Sequence, residues 1–119
     1  MAFSRYKWHK FADSETDLHW TPGQVAEITV ADRKLCVARV HGEWFGFAHT
    51  CPHAGAPMTD AYLKGDCHIV CPVHQLKFNL RNGRDSNGDG YKLKTYPVES
   101  RADGLYVGLD EGGLLKKWF

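Results

Sequence analysis

The sequence predicts an all-β protein with an antiparallel sandwich or barrel-like fold. Short segments rich in β-branched and aromatic residues recur along the 119-residue chain, and such segments favour β-strands. Turn-forming residues separate them at short intervals, which is typical of antiparallel β folds. With 43% hydrophobic residues and no break in composition, the chain is expected to form a single domain, residues 1–119, around one core.

Three strands are predicted in the first half of the chain. They are rich in aliphatic and aromatic residues and are separated by turn-forming pairs. The strands comprise residues 25–30, 35–40 and 44–48. Their turns are expected at Asp32-Arg33 and at Gly42-Glu43. Before these strands, residues 13–17 are expected to form one helical turn at most.

A hairpin is predicted near the end of the chain. Residues 96–100 and 105–109 each alternate between apolar and polar side chains, as expected for strands with one buried face. Asp103-Gly104 lies between them, and an Asp-Gly pair is a strong signal for a tight hairpin turn.

Two short cysteine-histidine motifs stand in the middle of the chain. They are Cys51-Pro-His53 and Cys71-Pro-Val-His74. Two cysteines and two histidines can hold a two-iron, two-sulfide cluster in which both cysteines bind one iron and both histidines bind the other. Each loop must then provide one ligand to each iron, as a C-x-H loop paired with a C-x-x-H loop does. The sequence therefore predicts a [2Fe-2S] cluster bound by Cys51, His53, Cys71 and His74.

Two other uses of the same side chains stay open at this stage. A single zinc ion accepts two cysteines and two histidines, but its usual spacings keep the two cysteines together and then the two histidines. A disulfide between Cys51 and Cys71 would leave His53 and His74 unexplained, and it suits secreted proteins better.

The ligand types indicate one-electron chemistry. Replacing two anionic thiolates by neutral imidazoles makes the cluster less negative, which raises its potential from about −400 mV to roughly −150 mV or higher. The prolines that follow both cysteines, Pro52 and Pro72, stiffen the loops and leave nearby backbone N–H groups free to point at sulfur.

Beyond the four ligands, longer stretches resemble the Rieske family, most closely its small soluble ferredoxins. The stretches are His49-Thr-Cys51-Pro-His53-Ala-Gly55-Ala-Pro57-Met and Val70-Cys71-Pro-Val-His74-Gln-Leu-Lys-Phe78. The likeness extends over nearly the whole chain. It implies the Rieske iron-sulfur fold, in which a small cluster-binding subdomain, here about residues 47–82, is inserted into a β base.

The chain departs from the respiratory Rieske pattern in ways that imply a low potential. Ala56 and Val73 occupy the positions where respiratory members carry a disulfide between the loops. Leu76 and Phe78 replace a serine and a tyrosine whose hydroxyls stabilise the reduced cluster in those members. In place of a proline-bearing segment that often covers the cluster, residues 85–90 are polar and are expected to be flexible.

The remaining cysteines and histidines are not expected to bind the cluster. Cys36 and Cys67 lie in apolar, strand-like contexts and are expected to be buried free thiols. Four other histidines lack a ligand-like partner at short spacing and are interpreted as surface or hydrogen-bonded residues: His9, His19, His41 and His68. No role is assigned to His49.

The resemblance implies an electron-transfer ferredoxin and not an enzyme. Rieske oxygenases carry a further catalytic domain with a mononuclear iron, and no glycine-rich nucleotide fingerprint follows a strand here. The expected donor is a flavin-dependent reductase and the expected acceptor an oxygenase or another redox enzyme. The alternatives are a small subunit of a larger oxidoreductase, such as nitrite reductase, and a zinc-stabilised interaction module.

Composition argues against other partners. A net charge of +1 implies no strong attraction to nucleic acid or to an anionic membrane. No run approaches the 18 apolar residues that a membrane span needs, so a cytoplasmic protein is expected.

An apolar docking tip for redox partners is expected next to the histidine ligands. It comprises Pro52, Ala54, Pro57, Met58, Val73 and Gln75, although Met58 and Val73 could instead pack inside the loops.

Overall fold

The computed structural model describes residues 6–110 except Ala54, His74 and Asn87. Within these residues ten strands form, and the only helical elements are two short 3-10 turns, Glu15–Asp17 and Met58–Asp60. The strands are β1 (Tyr6–Ala12), β2 (Val25–Val30), β3 (Arg33–Val40), β4 (Glu43–Ala48), β5 (Tyr62–Lys64), β6 (His68–Cys71), β7 (Leu76–Asn79), β8 (Thr95–Tyr96), β9 (Val98–Arg101) and β10 (Gly104–Asp110). The predicted all-β fold is confirmed.

The strands form three antiparallel sheets. The base sheet has the order β1-β10-β9, the central sheet β2-β3-β4-β8 and the small sheet β5-β6-β7. The small sheet lies between β4 and β8 in the sequence, within the segment expected to be inserted. No helix in the part of the chain that the structure describes is long and apolar enough to cross a membrane.

The central sheet is buried on both faces. One face packs against the base sheet through a core that includes Ile28, Val37 and Val107. The opposite face contributes Cys36 and Phe47 to a second core shared with the small sheet. Because neighbouring strand residues point to opposite faces, this double burial explains why residues 35–38 of β3 are all buried. The second core also contains Cys51 and Cys71.

The two hairpins of the central sheet turn one residue earlier than predicted. Ala31-Asp32 connects β2 to β3, and His41-Gly42 connects β3 to β4, with Val30 paired to Arg33 and Val40 to Glu43. All four turn residues have φ between 49° and 81°. Positive φ at both positions is characteristic of type I′ hairpin turns, and here three residues other than glycine adopt this left-handed conformation.

The strand predicted at residues 96–100 is wrong as a single element. Thr95–Tyr96 pairs with β4 in the central sheet, whereas Val98–Arg101 pairs with β10 in the base sheet. Pro97 separates them, since it has no N–H to donate to a ladder. The predicted hairpin that follows is present, but Gly104 pairs with Arg101, so its turn is Ala102-Asp103, one residue earlier than the predicted Asp103-Gly104. The helical turn expected at residues 13–17 is also present, as Glu15–Asp17.

A glycine anchors the long connection between the small sheet and β8. The Gly83 N–H donates to the Asn79 carbonyl at 2.7 Å, and the Gly83 carbonyl accepts from the Leu93 N–H at 2.7 Å. Gly83 has a φ of +79°, and a Cβ added there would lie 2.0 Å from the Leu93 carbonyl oxygen. The two ends of the connection therefore meet only because position 83 lacks a side chain.

We expect Gly83→Ala to destabilise the fold more than Gly42→Ala. Both positions have nearly the same φ, +79° and +81°, but nothing lies within 4 Å of a Cβ at Gly42. Each variant should lose about 1–2 kcal/mol through the left-handed conformation, and only Gly83→Ala should lose a further 1–3 kcal/mol, roughly, through overpacking. Denaturant titration of both variants measures the difference, and equal losses would contradict the close approach.

Candidate metal centre

The first cysteine-histidine motif lies in a compact turn after β4. The Gly55 N–H donates to the Cys51 carbonyl and the Cys51 N–H donates to the Ala56 carbonyl, both at 2.8 Å. Gly55 has the positive φ, +70°, that a glycine supplies without steric cost. These contacts fold residues 51–56 back on themselves.

The second motif forms the hairpin loop between β6 and β7. Cys71 ends β6 and pairs with Leu76, the first residue of β7. Inside the loop, the Gln75 side-chain amide donates to the Pro72 carbonyl at 3.2 Å, and the Tyr62 hydroxyl donates to Gln75 Oε1 at 2.7 Å. Tyr62 on the neighbouring strand β5 thus fixes the conformation of this loop from the side.

The two cysteines meet in the second core. Cys51 is 1% exposed and Cys71 is 0% exposed, and the two thiols lie close enough to interact. Burial raises the pKa of the Cys71 thiol, the Val73 N–H lowers that pKa through a hydrogen bond, and the interaction with Cys51 raises it. The Val73 contact is of the kind that the loop prolines predict, a backbone N–H directed at sulfur.

Of the two motif histidines, the structure describes His53. His53 is half-buried, and its ring packs against Tyr91 with a centroid distance of 4.7 Å. His74 lies outside the described residues, so its place among the ligands stays a prediction. Its neighbours Val73 and Gln75 are both exposed.

This arrangement fits the predicted cluster chemically. Two buried thiols in mutual contact suit coordination of one iron by two cysteines, because a metal ion deprotonates coordinating thiols. A half-buried imidazole on the adjoining loop suits the second, outer iron of a centre with mixed ligands.

The expected docking tip needs one correction. Met58 is fully buried in the second core, because its N–H donates to the His49 carbonyl at 2.6 Å and holds the 3-10 turn inward. Val73 is 38% exposed, and Pro52, Pro57 and Gln75 are also exposed. Ala54 lies outside the described residues.

Two contacts near the motifs are not visible in the sequence. His49 Nε2 and Glu27 Oε1 lie 3.0 Å apart, which links the chain just before Cys51 to β2. Tyr91 contacts His53 from 38 positions along the chain. No local pattern marks either pair, since both depend on the pairing of distant segments.

The remaining cysteines differ in burial. Cys36 is fully buried, as predicted, and burial together with the charge of Glu27 raises its pKa to about 12. Cys67 is half-buried and lies in a turn with a φ of +57°, immediately before β6 instead of within a strand.

Three comparisons with known proteins describe what the chain is similar to. The model of the Rieske [2Fe-2S] domain family matches residues 7–97. The ferredoxin component of the naphthalene 1,2-dioxygenase system of Pseudomonas aeruginosa is 33% identical over 88 residues, which are 73% of this chain and 84% of that protein. A nitrite reductase of Emericella nidulans is 31% identical over 93 residues, 71% of this chain and 8% of that protein.

A solved structure shares the architecture. It is a complex of reduced oxygenase and oxidized ferredoxin in carbazole 1,9a-dioxygenase, and the alignment has a TM-score of 0.68 with 27% identity. It covers 85% of this chain and 92% of the matched chain.

We predict that Cys36 resists alkylation in the folded protein. Its folded pKa of about 12 lies above the ordinary value of 9.0, so the folded state keeps the thiol proton that the unfolded state loses as the pH rises. The stability that this group contributes is present below pH 9 and is lost between pH 9 and 12. Iodoacetamide labelling followed by mass spectrometry should modify the half-buried Cys67 first, and equal labelling rates would contradict the burial of Cys36.

Proposed function

Because the chain belongs to the Rieske [2Fe-2S] domain family, we propose that it is an electron-transfer ferredoxin whose single cluster is held by Cys51, His53, Cys71 and His74. When bound, the cluster accepts and releases one electron. The protein is thus the carrier component of a dioxygenase-type system and not a catalyst that transforms a substrate.

The observation that carries the proposal is the pair of buried thiols that lie close enough to interact. Cys51 and Cys71 come from separate loops and meet where water is excluded, and each loop also carries a histidine. A zinc-stabilised interaction module could use the same four side chains, but the usual zinc spacings keep the two cysteines together and then the two histidines, whereas here each loop carries one of each.

The acceptor in this proposal is an oxygenase. The matched region spans 84% of the naphthalene dioxygenase ferredoxin, so we propose for this chain the role of that whole protein. The matched carbazole 1,9a-dioxygenase ferredoxin is in complex with an oxygenase. We propose a flavin-dependent reductase as the electron donor.

The surface beside His53 suits brief contacts with such partners. Pro52, Pro57 and Val73 are exposed there, and none carries a charge. A small and weakly charged interface favours the short-lived complexes that a carrier forms. The proposed setting is the cytoplasm, where thiols stay reduced, and all four cysteines are free thiols.

A role as a subunit of a larger enzyme is the second candidate. The similarity to a nitrite reductase covers only 8% of that protein, which is the relation expected if this domain serves one part of a larger assembly. Gel filtration with a candidate reductase or oxygenase separates the two roles, since a subunit co-elutes stably and a carrier does not.

Metal analysis tests the cluster itself. The purified protein should contain two irons and two acid-labile sulfides per chain, the content of one [2Fe-2S] cluster. Cys51→Ala and Cys71→Ala should each abolish that content because each removes an iron ligand. Cys36→Ala, which truncates an equally buried thiol, should keep it. One zinc without sulfide in the wild type would contradict the proposal.

We also predict that the cluster has a low reduction potential, about −150 mV. Leu76 and Phe78 are buried among the same core residues as Cys71, and neither has a hydroxyl that could donate to the cluster and stabilise its more negative reduced form. Protein-film voltammetry measures the potential directly. A value above roughly +100 mV, in the upper part of the Rieske span, would show that other donors stabilise the reduced form.

A further inference from the structure

The polar segment after the small sheet is ordered by hydrogen bonds in this structure. Its base is closed by bridges between Phe78 and Asp85 and between Arg84 and Lys92. The Ser86 N–H also donates to the Lys77 carbonyl at 2.8 Å. The segment expected to be flexible is therefore attached along one side to β7.

The Asp85 carboxylate organises the tip of this segment. One oxygen accepts from the Asp89 N–H at 2.9 Å and the other from the Tyr91 N–H at 2.7 Å. The Asp85 N–H in turn donates to the Tyr91 carbonyl at 3.2 Å. Asp85 and Tyr91 are thus joined by two hydrogen bonds, which fix the backbone from which the tyrosine ring projects.

The Tyr91 ring packs edge-on against the His53 imidazole. The planes meet at 76° and the centroids lie 4.7 Å apart, within the range of favourable edge-to-face pairs. Tyr91 is nevertheless 38% exposed, so part of its side chain meets solvent while the ring packs against His53. An aromatic side chain packed in this way limits the rotation of the imidazole and shields the part of it that the ring touches.

The two loops are supported differently. Tyr62 acts on the second loop through a hydrogen bond to Gln75, a residue that is not a proposed cluster ligand. Its effect on the ligands of that loop is therefore transmitted through the backbone. Tyr91 contacts a ligand ring directly. Groups that hold a metal-bound histidine in place tune both metal affinity and redox properties.

We propose that Tyr91 is a positioning residue that orients His53 toward the outer iron and shields it from water, with Asp85 holding Tyr91 in place. The inference rests on the proposed function, because His53 must be a cluster ligand for its orientation to matter. Within the chain it assigns the covering role to Tyr91 and the supporting role to Asp85.

Three variants test the proposal on cluster-loaded protein. Tyr91→Ala removes the ring, Tyr91→Phe keeps the edge contact without the hydroxyl, and Tyr6→Ala removes a similarly exposed tyrosine, 40% exposed, that packs against Trp8 instead. The rate of cluster loss to an iron chelator is followed by visible absorbance, and the reduction potential is measured by voltammetry.

Tyr91→Ala should lose its cluster about ten-fold faster than the wild type, the lower end of the effect of removing such a supporting group. Its potential should rise, because water stabilises the more negative reduced form. Tyr91→Phe and Tyr6→Ala should match the wild type in both measurements. A purely structural weakening of the fold would speed loss without moving the potential.

Asp85→Ala provides a second route, since it removes the two bonds from the carboxylate and leaves the Tyr91 ring in the chain. It should shift both measurements in the same direction as Tyr91→Ala. Wild-type values in Tyr91→Ala, or an equal defect in Tyr91→Phe, would overturn the proposal. A wild-type protein without the [2Fe-2S] chromophore would instead contradict the proposed function.

Discussion

The interaction between the Cys51 and Cys71 thiols joins two loops that are separate in the sequence. The sheets and side chains packed around these thiols exclude water from them. Cys51 follows a strand of the central sheet and Cys71 ends a strand of the small sheet. Neither loop could hold its cysteine against the other unless the two sheets shared a core. The core on the second face of the central sheet, with Phe47, Met58 and Phe78 fully buried, provides that support.

Burial of the thiols and partial exposure of His53 divide the site into an inner and an outer side. The inner side is apolar and closed, which favours tight coordination and a fixed geometry. The outer side is formed by loop residues, among which Val73 and Tyr91 remain partly exposed. In the proposed function, electrons enter and leave on the side of His53 while the cysteine side stays fixed, which is the arrangement that a carrier with short-lived partners needs.

Local sequence features account for much of this fold, and contacts between distant segments account for the rest. The Cys-x-His and Cys-x-x-His motifs predicted four cluster ligands, because the chemistry of the ligands is local to each loop; the structure buries Cys51 and Cys71 in one core, and the ligand set itself stays a prediction. The hairpin turns were predicted one residue late, since Ala31, Asp32 and His41 adopt positive φ without a glycine pattern to mark it. The sequence leaves Met58 open between the surface and the interior of the loops, because nothing local shows that the chain folds it inward. The Tyr91–His53 and His49–Glu27 contacts likewise arise only when separate segments come together, and the place of His74 stays a prediction from the sequence.

Pulsed electron paramagnetic resonance on the reduced protein, prepared with ¹⁵N-labelled histidine, tests the central claim most directly. If each loop provides its cysteine to one iron and its histidine to the other, the spectrum will show couplings from two histidine nitrogens bound to the same iron. His53→Ala should remove one coupling if any cluster remains, whereas His49→Ala should keep both. A reduced cluster without directly bound histidine nitrogen would contradict the account.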